Sequence, residues 1–449
     1  MYNTEGKLFY KKFFSIYVVL VLQNVVTLSV NLADNIMLGT YSETALSGVA
    51  AVNQIQFVYQ QLIMALGDGL VIFCSQYWGK RQLGPMKKIA ATAMQSAIAV
   101  AAILFALISL FPYQAMSIFT TDEAIIGQGV EYLSLIRFTY FFFAVTQILL
   151  ATLRSVEVVR VAFYLSVMAF CINCGVNYVL IYGKFGAPEM GASGAAIGTL
   201  AARIIECGVL IVYIARREAN LHLRIRSFLQ ADRVLIKDYF KITAPMLFVN
   251  GLWGVNTALQ TVILGHMAAA AIAANSVAST IFLMVKSMAV GAASAASVII
   301  GKTIGTGDMV LVRKYSKTMQ KLFLIIGVIS GCLLFSIRIP ILSLYDLAAS
   351  TKDMADTFLI ILSIVIVGMS YQMPTNNGII RGGGSAVFVV KMDIISIWCI
   401  VIPLSFVMAF VVKASPAIVV CCLNADQIFK CVPAFLKANY GNWARKLTR

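Results

Sequence analysis

The chain has 449 residues, of which 60% are hydrophobic and only 12% charged, where soluble domains carry about a quarter of charged residues. With a mean hydropathy of +0.87, this composition excludes an ordinary soluble protein and indicates a polytopic membrane protein. The formal net charge of +16 would raise the question of nucleic acid in a soluble chain. Here the basic residues fall in short connections between apolar runs, where they act as topology signals, and no nucleic-acid partner is expected.

The N-terminus has no small-residue cleavage site after a short apolar core, so no cleaved signal peptide is expected and the first helix is retained. Segments long enough to cross about 30 Å of hydrocarbon can be drawn twelve times, at residues 12–38, 45–73, 89–112, 125–151, 161–183, 191–215, 236–264, 269–300, 319–344, 354–379, 388–412 and 415–437. They must be helices, because an open strand leaves backbone groups unsatisfied in lipid and a barrel shows ten-residue alternation.

The first span closes on Asn31-Leu32-Ala33-Asp34-Asn35. An acid inside a span costs roughly 2.5–3.5 kcal/mol at a helix centre, so Asp34 either faces a wet cavity or a cationic partner, or ends the helix at the interface. In the second span Asp68 is flanked as Gly67-Asp68-Gly69, and the fourth contains Arg137. In the fifth span Asn173 and Asn177 share one face a helical turn apart. Their amide oxygens suit a hard cation such as Na⁺, while interhelical hydrogen bonding is the plainer reading. Arg203 and Glu206 read as an internal pair on the sixth span.

The polar run Arg216–Arg233 divides the spans into six and six and reads as a cytoplasmic linker, giving an N-lobe of residues 1–215, a linker of 216–235 and a C-lobe of 236–449. In the second half, Lys286 sits within the eighth span, Asp393 near a predicted cytoplasmic end, and Asp426 four residues before Lys430, a ready partner. Asp68, Lys286 and Arg137 are candidates to line a substrate cavity. The nine cysteines lie in or beside apolar segments and read as packing residues, and two histidines leave no material for a His-based metal site.

Counting Lys and Arg places both termini and every second connection in the cytoplasm, with only Lys184, Arg338, Lys352 and Lys413 in the opposite loops. Internal similarity supports a duplication: Asn35-Ile36-Met37-Leu38-Gly39 matches Thr261-Val262-Ile263-Leu264-Gly265, Ser75 and Gly79-Lys80 match Ser297 and Gly301-Lys302, and Leu153-Arg154 matches Ile380-Arg381. Each half begins on the same side, so the repeat is parallel. Such proteins hold substrate between or within lobes and expose it alternately to the two sides. The block Tyr140-Phe141-Phe142-Phe143 and 19 methionines would suit lipophilic cations, although such residues more often pack helices or face lipid.

Over its whole length the chain resembles the multidrug and toxic compound extrusion (MATE) transporters. The residues that carry the resemblance are Asn31-Leu32-Ala33-Asp34 before Leu38-Gly39, Gln76-Tyr77-Trp78-Gly79, Leu153-Arg154-Ser155, and Asn173 to Asn177 followed by Gly191-Ala192-Ser193-Gly194-Ala195-Ala196. Ile300-Gly301-Lys302 and Ile380-Arg381-Gly382-Gly383-Gly384 complete the set. The resemblance implies an all-α fold of twelve spans in two six-helix bundles forming a V, and antiport of organic cations against H⁺ or Na⁺. It implies a cation-coupling site of Asp34, Asn173, Asn177 and Thr199, with Asn31 in its shell and Na⁺ as one ion it would hold. Where the family has an acid, this chain has Asn177, which favours proton coupling or a changed ion preference. The acids that some members carry in the seventh and tenth helices are absent around Trp253 and Ser370–Asn377.

No cofactor beyond a coupling ion is expected. The expected partners are small lipophilic organic cations and membrane lipid, and the expected state is a monomer in the cell membrane. The alternative is a flippase for lipid-linked or polysaccharide precursors, whose phosphates would call on Arg137 and Lys286. No paired His-acid arrangement, nucleophile motif or phosphate loop suggests an enzyme.

Overall fold

The computed structural model describes residues 2–120, 122–217, 232–265, 267, 269–343 and 348–448. Most of the expected linker, residues 218–231, lies outside the described residues. Among those described there are helices and turns but no strand, as lipid requires of a chain without a closed barrel.

The first half runs α1 (Tyr2–Tyr41), α2 (Glu43–Gly79), α3 (Leu83–Leu110), the short α4 (Pro112–Ser117), α5 (Glu123–Ile136), α6 (Thr139–Ser155), α7 (Arg160–Ile181) and α8 (Gly191–Arg217). The second half runs α9 (Arg233–Gly265), α10 (Ala269–Thr306), α11 (Met309–Leu342), α12 (Ala349–Met373), α13 (Ala386–Asp393), α14 (Ile402–Phe406), α15 (Pro416–Leu423), α16 (Asp426–Phe429) and α17 (Cys431–Tyr440). Three π-helical stretches interrupt it, Pro374–Ile380, Ile394–Val401 and Val407–Val411. The first starts at Pro374, which has no N–H to give the preceding turn.

Ten of these helical runs are long and apolar enough to cross a membrane, and an eleventh is the bent pair α5 and α6. Each of the twelve expected segments thus falls on helix. The remaining one, α9, has 33 residues but is not among the apolar spans. The fourth segment, 125–151, is broken in the middle: α5 and α6 meet at 53°. The break falls at Arg137, where Phe138 donates to the Leu135 carbonyl and Tyr140 to that of Arg137 in short three-residue steps. The Arg137 guanidinium leaves the helix to donate to Ser109 Oγ at 3.0 Å and lies over the rings of Phe105 and Phe138.

By contacts the chain forms two compact units. One comprises Leu22–Cys74 and Arg81–Thr243, the other Met1–Val21, Ser75–Lys80 and Ala244–Arg449. The division therefore cuts within α1, α2 and α9. The helix lengths account for this. At 1.5 Å per residue the 40 residues of α1 span about 60 Å, roughly twice the hydrocarbon thickness. One helix of that length has room to pack with two sets of neighbours.

In the first unit, α7 packs along α8, and α8 also meets α5 and α6. In the second, α10, α11 and α12 pack mutually around Ile281, Leu334, Phe358, Leu359 and Ile366. Exposed Leu324, Ile325, Val328 and Ile329 form the outer face of α11, an apolar exterior that only a lipid solvent tolerates. The tail beyond α17 belongs to this unit: Trp443 is buried against Gly383, and Arg445 N donates to the Gly383 carbonyl at 2.8 Å. Gln76 clasps the tail from α2, its Nε2 donating to the Arg445 carbonyl and its Oε1 accepting from Leu447 N. All nine cysteines are free thiols.

Candidate functional site

The first compact unit brings together four of the residues singled out in the sequence. Asp34 on α1 is half-buried, and Asn173 and Asn177 on α7 are fully buried on one helical face. Asn177 Nδ2 donates to Asp34 Oδ1 at 2.6 Å and to Asn173 Oδ1 at 3.3 Å. Asn173 Nδ2 in turn donates to Thr199 Oγ1 on α8 at 3.1 Å. One continuous chain of hydrogen bonds thus links α8, α7 and the acid on α1, with Asn177 donating in both directions. Asn31, a turn before Asp34, is exposed and stands outside this chain.

The approach of α8 to α7 explains how two amides fit. A Cβ on Gly194 would press on the Leu180 backbone, and one on Gly198 would occupy the place of Asn177 Oδ1. Small residues at these positions let the helices close on each other, as is common in membrane bundles. Asn177 Oδ1, turned toward Gly198, has no hydrogen-bond partner among the described residues.

Three further residues complete the surroundings. Arg203, one turn beyond Thr199, binds Glu206 at 2.8 Å as the sequence suggested. Its guanidinium lies 5.1 Å from the Phe143 ring, and its charge also acts on Asp34. Tyr132 on α5 is fully buried beside Gln56 and Thr199. The sequence marked Arg203 only as the partner of Glu206, although its i, i+4 step from Thr199 could have placed it near the site; nothing in the sequence pointed to Tyr132.

The other candidates lie elsewhere. Asp68 is held by Arg154 at 2.9 Å, and Arg137 is engaged by Ser109 and two rings as described above. In the second unit, Lys430 bridges Asp393 Oδ1 at 2.8 Å and Asp426 Oδ2 at 2.9 Å. Gln427 donates to Asp426, Gln372 to Gln427, and Asn376 to Gln372. Lys286 on α10 rests 4.7 Å from the centroid of the Trp253 ring. Among the described residues, no cluster of three or more His, Cys, Asp or Glu could hold a metal ion.

Among the described residues the chain is helical, multi-pass and carries ionisable groups inside its spans, an arrangement typical of membrane transporters. The chain belongs to the MatE family, whose profile matches residues 20–179 and 220–407, and it is therefore not an enzyme. A probable multidrug resistance protein NorM of Thermotoga maritima is 26% identical over 435 residues, which are 95% of this chain and 92% of that one. The uncharacterized transporter YisQ of Bacillus subtilis is 22% identical over 83% and 82% of the two chains. Among solved structures, a mutant of the Vibrio cholerae MATE transporter VcmN superposes with a TM-score of 0.87 over 99% of both chains. At 14% identity that likeness concerns the fold.

Proposed function

We propose that this protein is a secondary antiporter that exports small lipophilic organic molecules in exchange for protons, with Asp34 as the coupling residue and Asn173, Asn177 and Thr199 as its shell. Relatives named multidrug resistance proteins support export of organic compounds. The observation that carries the choice of ion is the orientation of Asn177. Its Nδ2 donates to the oxygens of Asp34 and Asn173, so an N–H group stands where Na⁺ would have to be shared between those oxygens. Na⁺ needs oxygen donors, and this amide turns its oxygen away toward Gly198.

Charge sets the stoichiometry at one monovalent cation. Asp34 and Glu206 against Arg203 leave one net negative charge, which a single proton neutralises. Adding the proton to Asp34 would turn its carboxylate from acceptor to donor, weaken its attraction for the Asn177 amide and let α1 move relative to α7. The ligand of one state and the proton of the other then exchange by differential affinity for two conformations. Both termini are cytoplasmic in this reading, as the loop charges require.

Asp34→Asn tests it. Efflux of a fluorescent organic cation from energised vesicles should be abolished while membrane insertion and monodispersity persist. Undiminished efflux would remove Asp34 from the mechanism. Driving wild-type transport with separately imposed pH and Na⁺ gradients decides the ion, and a response to the Na⁺ gradient alone overturns proton coupling.

A further inference from the structure

The second unit carries a groove of about 630 Å³ between α11 and α12, bordered at one end by Ile428 of α16. Its floor lies where the helices touch through backbone: a Cβ on Gly331 would press on the Ser363 carbonyl, and one on Gly368 on that of Gln427. Phe335, Ile364 and Ile428 stand around it as exposed walls. The two hydroxyls in the lining are already spent, Ser336 Oγ donating to the Cys332 carbonyl at 2.8 Å and Ser363 Oγ to that of Leu359 at 2.6 Å. What remains is hydrocarbon surface, continuous through Val328 with the lipid-facing side of α11. A hollow with no free donor, open to lipid, is filled by lipid and not by water.

The groove has the length of one leaflet. Ile428 is the thirteenth of the 25 residues in the span Pro416–Tyr440 and so lies at its middle. From Val328, at the same end of the groove, to Arg338 is ten residues, or about 15 Å of helix, half of a hydrocarbon layer about 30 Å thick. Arg338 stands at the other end, where α11 finishes. Its guanidinium lies 3.8 Å from the centroid of the Phe335 ring and donates to the Phe335 carbonyl, while its Nε donates to Asp356 of α12 at 2.9 Å. Among the described residues these acceptors take two of its five N–H donors. A guanidinium held in this way, with an acid beside it, complements a headgroup that carries both a phosphate and an amine.

We propose that this groove binds one molecule of phosphatidylethanolamine, with an acyl chain lying along Phe335 and Ile364 as far as Ile428, the phosphate on Arg338 and the ammonium on Asp356. The assignment goes beyond the transport reading and depends neither on Asp34 nor on the coupling ion. Bound there, the lipid is a structural ligand that fills the seam between α11 and α12.

Native mass spectrometry of the delipidated full-length protein, titrated with dioleoyl phosphatidylethanolamine, reads the binding. One saturable adduct is expected. Ser336→Phe, which fills the groove from an exposed position, should weaken it at least tenfold. Arg338→Gln should weaken it at least fivefold, Arg338→Lys less, and Leu324→Phe, on the open lipid face, not at all. Dioleoylglycerol, which has the chains without the headgroup, and dioleoyl phosphatidylglycerol, which lacks the amine, should each bind at least fivefold more weakly. Adducts that grow without saturation, equal losses for Ser336→Phe and Leu324→Phe, or equal affinity for phosphatidylglycerol overturn the proposal. A diazirine-bearing phosphatidylethanolamine reads the same site on the unmutated chain: attachment should concentrate on residues 328–338 and 356–368, and attachment spread evenly over the spans overturns it. Dimers of the wild type in nanodiscs that Ser336→Phe disperses would give the groove to a second copy of the chain, and the lipid assignment falls.

Discussion

Replacing Asn177 by Asp changes the coupling site by one charge at a defined place. The new carboxylate would stand where the Asn177 amide now donates to Asp34 Oδ1 at 2.6 Å. Two unit charges at that distance repel by roughly 6 kcal/mol at an effective dielectric near 20, or between four and five powers of ten in affinity for any ion that neutralises the pair. Two carboxylates so close share a proton or recruit a cation, and the lost N–H vacates the space that a cation would take. The Asn177→Asp variant should therefore acquire Na⁺ dependence. Thermal unfolding in detergent is scanned against NaCl, with choline chloride holding ionic strength constant. At about a hundred times its Kd, bound Na⁺ stabilises the variant by about 2.7 kcal/mol, while the wild type should not respond. A wild type stabilised by Na⁺ as strongly as the variant, or a variant indifferent to it, would refute the assignment of the amide as an internal substitute for the cation.

Other substitutions probe the supports. Gly198→Ala places a Cβ on Asn177 Oδ1, so it should cost about 1–3 kcal/mol of stability by overpacking and slow proton-driven efflux, and unchanged transport would show that the amide has room to move. Lys430→Met leaves Asp393 and buried Asp426 without their shared cation and should lower stability by about 3–5 kcal/mol, read as a fall in Tm. Asp232 caps α9 by accepting from Val234 N and pairs with Lys88 at 3.0 Å. The Lys88 ammonium and the backbone N–H hold its carboxyl below the usual range. A depressed value in the folded state means that the stabilisation is present above the unfolded-state value near 4 and is lost as pH falls through the folded one. The Tm difference between wild type and Asp232→Asn should therefore close on acidification below pH 4, and a constant difference would exclude the charge as its source.

Hydropathy and loop charge made the helical spans legible, because lipid forces every backbone group to be satisfied within its own helix. The four-residue step placed Asn173 and Asn177 on one face, and Arg203–Glu206 and Asp426–Lys430 pair as their spacing suggests. What the sequence did not carry is partner choice over long range. Nothing local reveals that the Asn177 amide meets Asp34, 143 positions away in the chain; once they meet, a carboxylate that can only accept takes the N–H end. The same blindness applies to the division within α1, α2 and α9: a hydropathy profile registers the solvent of a helix but not its neighbours. The bend at Arg137 also escaped: the contact its guanidinium makes there is with Ser109, 28 residues back in the chain.

The strap formed by the last residues has a practical side. With Trp443 seated on Gly383 and Gln76 gripping the backbone at Arg445 and Leu447, the carboxyl-terminal segment is a clamp on the end of α2 and not a loose extension. Trimming the protein back to Tyr440 to aid crystallisation would strip the cover from Gly383 and leave the Gln76 amide groping for water. An affinity handle joined close behind Leu447 would pull on the same clamp, and a flexible spacer is the prudent way to attach one.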